Sequence, residues 1–348
     1  MYFFHLSHND LDGYCCQLIS QKIFPNGKYY NANYGLEVQN NLEIILDELK
    51  QLKGEDIFFL ISDLNLTIDE SKNLNREINH LNNEGWKIKL QLLDHHATGK
   101  KSSDKYQWYY LDTTRCATKI VFEYFSNNYE QFNQICSDNF RLLIEAVDDV
   151  DIWCENDEFF EFGKVIMRLI SHSTEINSTL FPNENRKYRL KLLEQSIKYI
   201  TQENGHILLD DNIHFMKKEY LKLTKENDTI DNLMSLYLVY LLKNKKDELT
   251  IYYKEHKGLL TFTISNISIP ANKFLKENPD YDFFINVGRR GTIGLRADGK
   301  LDVAQLASKL ANGGGHPNAS GGFFDDFKET IKYSEVKKFI EGKISSIS

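Results

Sequence analysis

A doubly wound, mostly parallel α/β sheet, joined by a helical connector to a smaller α/β domain, is the architecture these 348 residues predict. Three observations lead there. Strand-like and helix-like segments alternate through the first half, the rhythm of βαβ units. A stretch rich in Lys, Glu and Leu at helical spacing runs from about 185 to 244. Beyond it the composition shifts to paired strand-like runs and a glycine-rich segment. The expected division is residues 1–185 for the first domain, 186–244 for the connector and 245–348 for the second domain.

The elements follow in order. Residues 2–6 are apolar and β-prone, residues 13–23 have helical spacing, and residues 28–32 form a second strand-like run. Residues 38–52 are an amphipathic helix. The run DIFFLI at 56–61 is short and apolar throughout, as in a parallel strand buried on both faces. A helix is expected at 67–83, a strand at 87–93, and helices at 116–125 and 138–147. In the second domain, residues 249–253 and 259–265 suggest a hairpin turning at Lys257-Gly258. Residues 283–287 and 292–296 suggest another strand pair, and residues 303–310 a helix before the glycines of 313–322.

Composition narrows the function classes. Charged residues at 26% and hydrophobic ones at 41% are ordinary for a globular protein. The net charge of −8 repels long polyanions, whereas proteins that grip extended nucleic acid present a basic face. An acidic chain suits an enzyme whose carboxylates hold divalent metals and whose substrate carries few phosphates. The cysteines Cys15, Cys16, Cys116, Cys136 and Cys154 are odd in number and contain no C-x-x-C, which argues against a disulfide framework or structural zinc site. No basic stretch followed by a long apolar run opens the chain, and the apolar run at 233–242 is too short to span a bilayer. The expectation is a cytoplasmic protein without membrane contact.

Chemistry-bearing residues collect after strands. His8-x-Asp10-x-Asp12-Gly13 follows the first strand, Ser62-Asp63 the run at 56–61, and Asp94-His95-His96 the strand at 87–93. Residues just past strand C-termini line the ligand crevice of doubly wound sheets. Each cluster alone has an ordinary reading, since an Asp there often makes a turn or caps a helix, as Asp12 could near Gly13. Three together favour a site. Mixed Asp and His ligands suit Mn²⁺ or a similar first-row ion better than Ca²⁺. Two such ions roughly 3.5–4 Å apart generate a nucleophile and neutralise charge in phosphodiester hydrolysis.

These three clusters resemble the first three motifs of the DHH phosphoesterase superfamily. The fourth motif, an Asp, falls in Glu145-Ala-Val-Asp148-Asp149-Val-Asp151. Asp149 aligns best with the family pattern, with Asp148 and Asp151 open. The resemblance implies that His8, Asp10 and Asp63 serve one metal and that Asp12, Asp63, His95 and Asp149 serve the other. Asp63 would bridge, His96 would face the scissile phosphate, and Asp94 would orient a histidine from behind. The implied cofactors are two Mn²⁺ ions, with Mg²⁺ or another divalent metal as substitutes.

The segment Asn312-Gly313-Gly314-Gly315-His316-Pro317-Asn318-Ala319-Ser320-Gly321-Gly322 is the second strong signal. Consecutive glycines let backbone N–H groups approach an anion, although glycine runs also make plain turns. The segment resembles the GGGH-x-x-A-(A/S)-G signature of the DHHA1 domain that follows DHH domains in exonucleases and nano-RNases. By that resemblance Arg296, Gly313, Gly314, Gly315 and His316 bind the substrate's terminal phosphate or base. Arg289 and Arg290 are nearby candidates whose plainer reading is a solvated turn. Tyr14, Arg115 and His172 are secondary candidates for which packing or exposure is the simpler account.

The resemblance covers about residues 1–185 and 245–348. It implies a phosphodiesterase acting on short RNA or DNA oligonucleotides or linear or cyclic (di)nucleotides, attacking with a hydroxide held between the metals and releasing 5′-mononucleotides. Family II pyrophosphatases lack the glycine segment, and long single-strand exonucleases of the superfamily usually add an oligonucleotide-binding barrel. A catalytically silent nucleotide- or RNA-binding protein would be expected to lose metal ligands, and here the set is full by type. The oligomeric state is open, a homodimer included.

Overall fold

Five strands of the N-terminal half pair in parallel in the order β2-β1-β3-β4-β5: β1 (Tyr2–His8), β2 (Lys28–Ala32), β3 (Asp56–Ser62), β4 (Lys87–Asp94) and β5 (Tyr109–Leu111). The computed structural model describes residues 1–347. Between and after these strands lie α1 (Leu11–Gln21), α2 (Leu36–Leu49), α3 (Ile68–Asn83), α4 (Lys100–Ser103), α5 (Ala117–Asn128), α6 (Glu130–Ile135), α7 (Asp138–Asp151) and α8 (Phe160–Ser171). The alternation of strands explains the layers. Phe4, Leu6, Ile57, Phe59 and Ile61 pack with Val38, Leu42 and Ile45 of α2 and Leu74 and Ile78 of α3. The intervening residues point the other way, where His5 meets Ser20 of α1 and Phe3 stacks on Phe24. Thr67 and Glu70 start α3 with a reciprocal capping box.

The chain leaves β1 for β2 on one side and reaches β3 on the other. The crevice of such a sheet opens at this switch point, beyond the carboxyl ends of β1 and β3. The short β5 has no counterpart among the expected strands; three residues carry too little periodicity to register.

After α9 (Pro182–Ser196), α10 (Gly205–Leu221) and α11 (Ile230–Leu249), a second sheet forms in the order β10-β11-β9-β8-β7-β6. Its strands are β6 (Thr250–Tyr253), β7 (His256–Phe262), β8 (Phe283–Val287), β9 (Thr292–Ala297), β10 (Gly314–His316) and β11 (Ala319–Phe323), with α12 (Ser268–Glu277), α13 (Val303–Ala311) and α14 (Tyr333–Ser345). Only the β7–β8 pair is parallel, and α12 makes its crossover. The β6–β7 hairpin turns at Lys254-Glu255, since Tyr253 pairs with His256. Lys257-Gly258, the expected turn, lies inside β7. Gly258 is there because a Cβ would sit 2.2 Å from the Phe283 ring across the sheet.

By contacts the chain forms two units: Met1–Ser173 with Arg186–His214, and Thr174–Asn185 with the chain from Phe215 onward. The helices of the 186–244 stretch are thus shared between them. No helix among the described residues is long and apolar enough to cross a membrane.

Candidate metal centre

The end of β1 delivers His8, and α1 begins almost at once. Asp10 caps that helix through Gly13 N–H at 3.1 Å. The start is tight: a Cβ on Gly13 would lie 2.2 Å from the His8 carbonyl oxygen. Asp12, in the first turn, is buried and directed at the N-terminus of α5. Its two carboxylate oxygens accept N–H bonds from Ala117 (2.8 Å) and Thr118 (2.6 Å), and the Thr118 hydroxyl donates to the Asp12 carbonyl at 2.8 Å. The helix dipole favours the carboxylate there.

Asp63 follows β3 in the left-handed region, with φ 55°. An Asp tolerates this conformation better than most residues, and its surroundings hold it. Its N–H donates to the Leu93 carbonyl at 3.1 Å. The Ser62 hydroxyl beside it is within 2.8 Å of both His5 Nε2 and Ser7 Oγ, while His5 Nδ1 is 2.8 Å from Ser20 Oγ. Burial, with Arg186 nearby, lowers the His5 imidazole to about 3, so this network is neutral.

From β4, Asp94 accepts the Tyr109 hydroxyl at 2.6 Å and lies 2.7 Å from His96 Nδ1. Burial disfavours the charged His96 ring, yet the Asp94 carboxylate more than offsets this and the imidazole is raised.

These ends converge. His8 Nδ1 lies 2.7 Å from Asp10 Oδ2 and 3.7 Å from Asp63 Oδ2. His95 Nε2 lies 3.7 Å from Asp12 Oδ2, 3.5 Å from Asp63 Oδ1 and 3.5 Å from Asp151 Oδ2. Asp63 therefore turns one oxygen to each group. Three sets, His8–Asp10–Asp63, Asp12–His95–Asp151 and Asp63–His95–His96, each bring one donor atom per residue within 4.8 Å. Burial and the neighbouring carboxylates of Asp12, Asp10 and Asp151 drive the Asp63 carboxyl well above its ordinary range. Burial, then Asp12, pushes Asp151 up to about 9. Burial would also raise Asp10, but His8 beside it brings that group below its usual value.

Such a knot of acids, with Asp12 and Asp63 buried and Asp10 and Asp151 reaching the surface, fits divalent cations. His8 Nδ1 and Asp63 Oδ2 are buried without a hydrogen-bond partner, although Asp10 Oδ2 is only 2.7 Å from the former. Donor atoms that crowd one another off hydrogen-bond geometry are arranged as co-ligands are. Asp and His together match a first-row metal.

Of the three candidate acids, the one that lies beside His95 is Asp151, whereas the preferred Asp149 is turned elsewhere. Asp149 Oδ2 accepts the Phe159 N–H at 3.0 Å, and Asp148 accepts Cys116 N–H at 2.7 Å and pairs with Lys119 at 2.8 Å. Two residues along α7 turn a side chain by about 200°, so only one of Asp149 and Asp151 can face His95.

In the second unit, Arg296 on β9 pairs with Ala319 on β11, which pairs with His316 on β10. Arg296 and His316 thus share one face of the sheet, two strands apart. The Ser320 hydroxyl, on the opposite face, donates to the Val303 carbonyl of α13 at 2.6 Å. Arg296 Nη2 donates to Ser268 at 2.9 Å, and β10, with Gly314, Gly315 and His316 exposed, is the sheet's edge. Gly313 lies against β11, where a Cβ would be 2.1 Å from the Gly321 carbonyl oxygen. Arg289 and Arg290 lie in the β8–β9 turn at the far end of β9, with Arg289 Nε 2.8 Å from Glu329. Tyr14 is buried with Arg189 over its ring, Arg115 is held by Asp112 and Glu123, and His172 ends α8.

Sequence reasoning overlooked His5, Tyr34, Tyr109, Ala117 and Thr118. Tyr34 carried a signal, since it follows a strand as the other site residues do. The contacts of Thr118 and Tyr109 depend on pairings that nothing local announces.

No family model matches the chain. It is similar to a 3′,5′-cyclic-nucleotide phosphodiesterase of Helicobacter pylori, 42% identical over 341 residues, which are 98% of each chain. It also resembles the oligoribonuclease NrnB of Bacillus subtilis, 25% identical over 91% of this chain and 72% of that one. A crystal structure of an uncharacterized protein from Helicobacter pylori G27 superposes with a TM-score of 0.90 at 42% identity, covering 99% of both chains.

Proposed function

Since this chain belongs to the DHH/DHHA1 phosphoesterase superfamily and is a hydrolase of that kind, we propose that it cleaves the phosphodiester bond of 3′,5′-cyclic nucleotides and of very short oligonucleotides, releasing 5′-mononucleotides. The observation that carries this reading is the shared Asp63, with Oδ2 toward His8 and Oδ1 toward His95. We assign His8, Asp10 and Asp63 to one Mn²⁺ ion, and Asp12, Asp63, His95 and Asp151 to a second, with Mg²⁺ as the substitute. When bound, such a pair acidifies a water and neutralises phosphoryl charge.

The protein's own groups do the rest. Asp94 holds His96 by Nδ1 and favours its charged form, so that Nε2 can donate to a phosphate oxygen. The neutral His5–Ser62 contact keeps the Asp63 turn in place. Arg296, Gly313, Gly314, Gly315 and His316 are assigned to the substrate's terminal phosphate or base. Likeness to the Helicobacter phosphodiesterase supports the cyclic substrate, and likeness to NrnB supports the oligonucleotide.

The test is turnover with Mn²⁺ of a 3′,5′-cyclic nucleotide, an RNA dinucleotide, pyrophosphate and a long single-stranded DNA, alongside Asp63→Ala. The reading predicts mononucleotide release from one or both of the first two, reduced at least about a hundredfold in the variant. Preference for pyrophosphate or long DNA would overturn the substrate assignment. No turnover with metal bound would favour a nucleotide-binding protein.

A further inference from the structure

Tyr34 stands at the mouth of the centre, and no role above uses it. It follows β2 as His8, Asp63 and Asp94 follow or end their strands, so the same sheet edge presents it. Its loop is pinned. Asn31 Nδ2 donates to the His8 carbonyl at 2.9 Å, and Asn33 N–H donates to Glu37 at 2.8 Å. The Tyr34 ring lies 5.2 Å from the His8 ring and meets His96 edge-on at 5.9 Å. Its hydroxyl is 3.2 Å from His96 Nε2. With 44% of its surface exposed, the residue lies at the boundary between these rings and solvent.

We propose that the Tyr34 hydroxyl positions substrate by donating a hydrogen bond to a non-bridging oxygen of the phosphate to be cleaved. The inference rests on the phosphodiesterase reading and extends it. A phosphate arriving here meets the carboxylates of Asp10, Asp12, Asp63, Asp94 and Asp151, so it needs donors to hold its oxygens. Lys119 is committed to Glu145 and Asp148, and Arg115 to Asp112 and Glu123. A phenol is a neutral donor at physiological pH. In the substrate-free protein the Tyr34 hydroxyl rests 3.2 Å from His96 Nε2, and a phosphate oxygen of the substrate takes the place of that partner.

The experiment compares wild type, Tyr34→Phe and Tyr34→Ala with Mn²⁺, measuring kcat, KM, Mn²⁺ affinity and thermal unfolding. Tyr34→Phe should lose about ten- to hundredfold in kcat/KM, as expected for a hydrogen bond to a charged group, with Mn²⁺ affinity and melting temperature unchanged. Tyr34→Ala should lose at least as much. If Phe retains full kcat/KM while Ala does not, the ring and not the hydroxyl matters, and the proposal falls. A parallel loss of Mn²⁺ affinity or stability in Tyr34→Phe would assign a structural role and overturn it too. Should the wild type turn over no substrate, the phosphodiesterase reading fails by itself. Calorimetric binding of inorganic phosphate to the Mn²⁺-loaded proteins then decides: weaker binding by Tyr34→Phe supports the hydroxyl contact, and equal binding, or none by wild type, refutes it.

Discussion

Asp149 and Asp151 are separated by one residue and by different work. Asp149 holds the Phe159 N–H, whereas Asp151 faces His95. Asp149→Ala should therefore cost about 1 kcal/mol of stability and leave Mn²⁺ affinity unchanged. Asp151→Ala should weaken Mn²⁺ binding at least about tenfold and leave the metal-free protein no less stable, since it removes an acid that burial has pushed to about 9. Denaturant unfolding and calorimetric Mn²⁺ titration separate the two. His5 supplies a pH-dependent counterpart. Its folded value of about 3 lies below the ordinary 6.5, so between these values the unfolded chain binds the extra proton. Stability from His5 is complete above 6.5 and is lost as the pH falls toward 3. The stability difference between wild type and His5→Asn should shrink by about 1.4 kcal/mol per pH unit across that window; a difference constant with pH would show that His5 is not held neutral.

Strand ends account for most of what could be read in advance. Apolar runs bounded by Asp and His announce buried strands and the residues beyond them, which is why His8, Asp10, Asp12, Asp63, Asp94, His95 and His96 could all be named from sequence. The preference for Asp149 over Asp148 and Asp151 did not foresee which acid lies beside His95, because that depends on the rotation of α7 about its axis. The β6–β7 turn was misplaced for a related reason: a Gly that signals a turn locally is required in β7 by the Phe283 ring across the sheet. Glycines in helices show the same contrast. Gly13→Ala would drive a Cβ against the His8 carbonyl, forcing α1 off the end of β1. It should cost at least about 2 kcal/mol and weaken Mn²⁺ binding. Gly342→Ala, in α14 with nothing within 4 Å of the added carbon, should stabilise by about 0.5–1 kcal/mol. Thermal unfolding of both variants checks the pair.

The acids of the centre crowd one another, and burial and mutual repulsion raise Asp63 and Asp151 above their ordinary range. Cations that bind the folded form alone stabilise it by mass action, so Mn²⁺ should raise the melting temperature of chelator-stripped protein, and the rise should largely vanish in Asp63→Ala. The acidity of the centre also fits a substrate with few phosphates. What the amino-acid order could not reveal was how remote segments complete the centre: Ala117 and Thr118 clasp Asp12, and Tyr109 anchors Asp94. The decisive measurement is the number of Mn²⁺ ions bound per chain by calorimetry after chelator treatment. Two ions in wild type, reduced by Asp10→Ala and Asp151→Ala to one each, are the predicted result. A single ion in wild type, unaffected by one of these substitutions, would contradict a centre shared through Asp63.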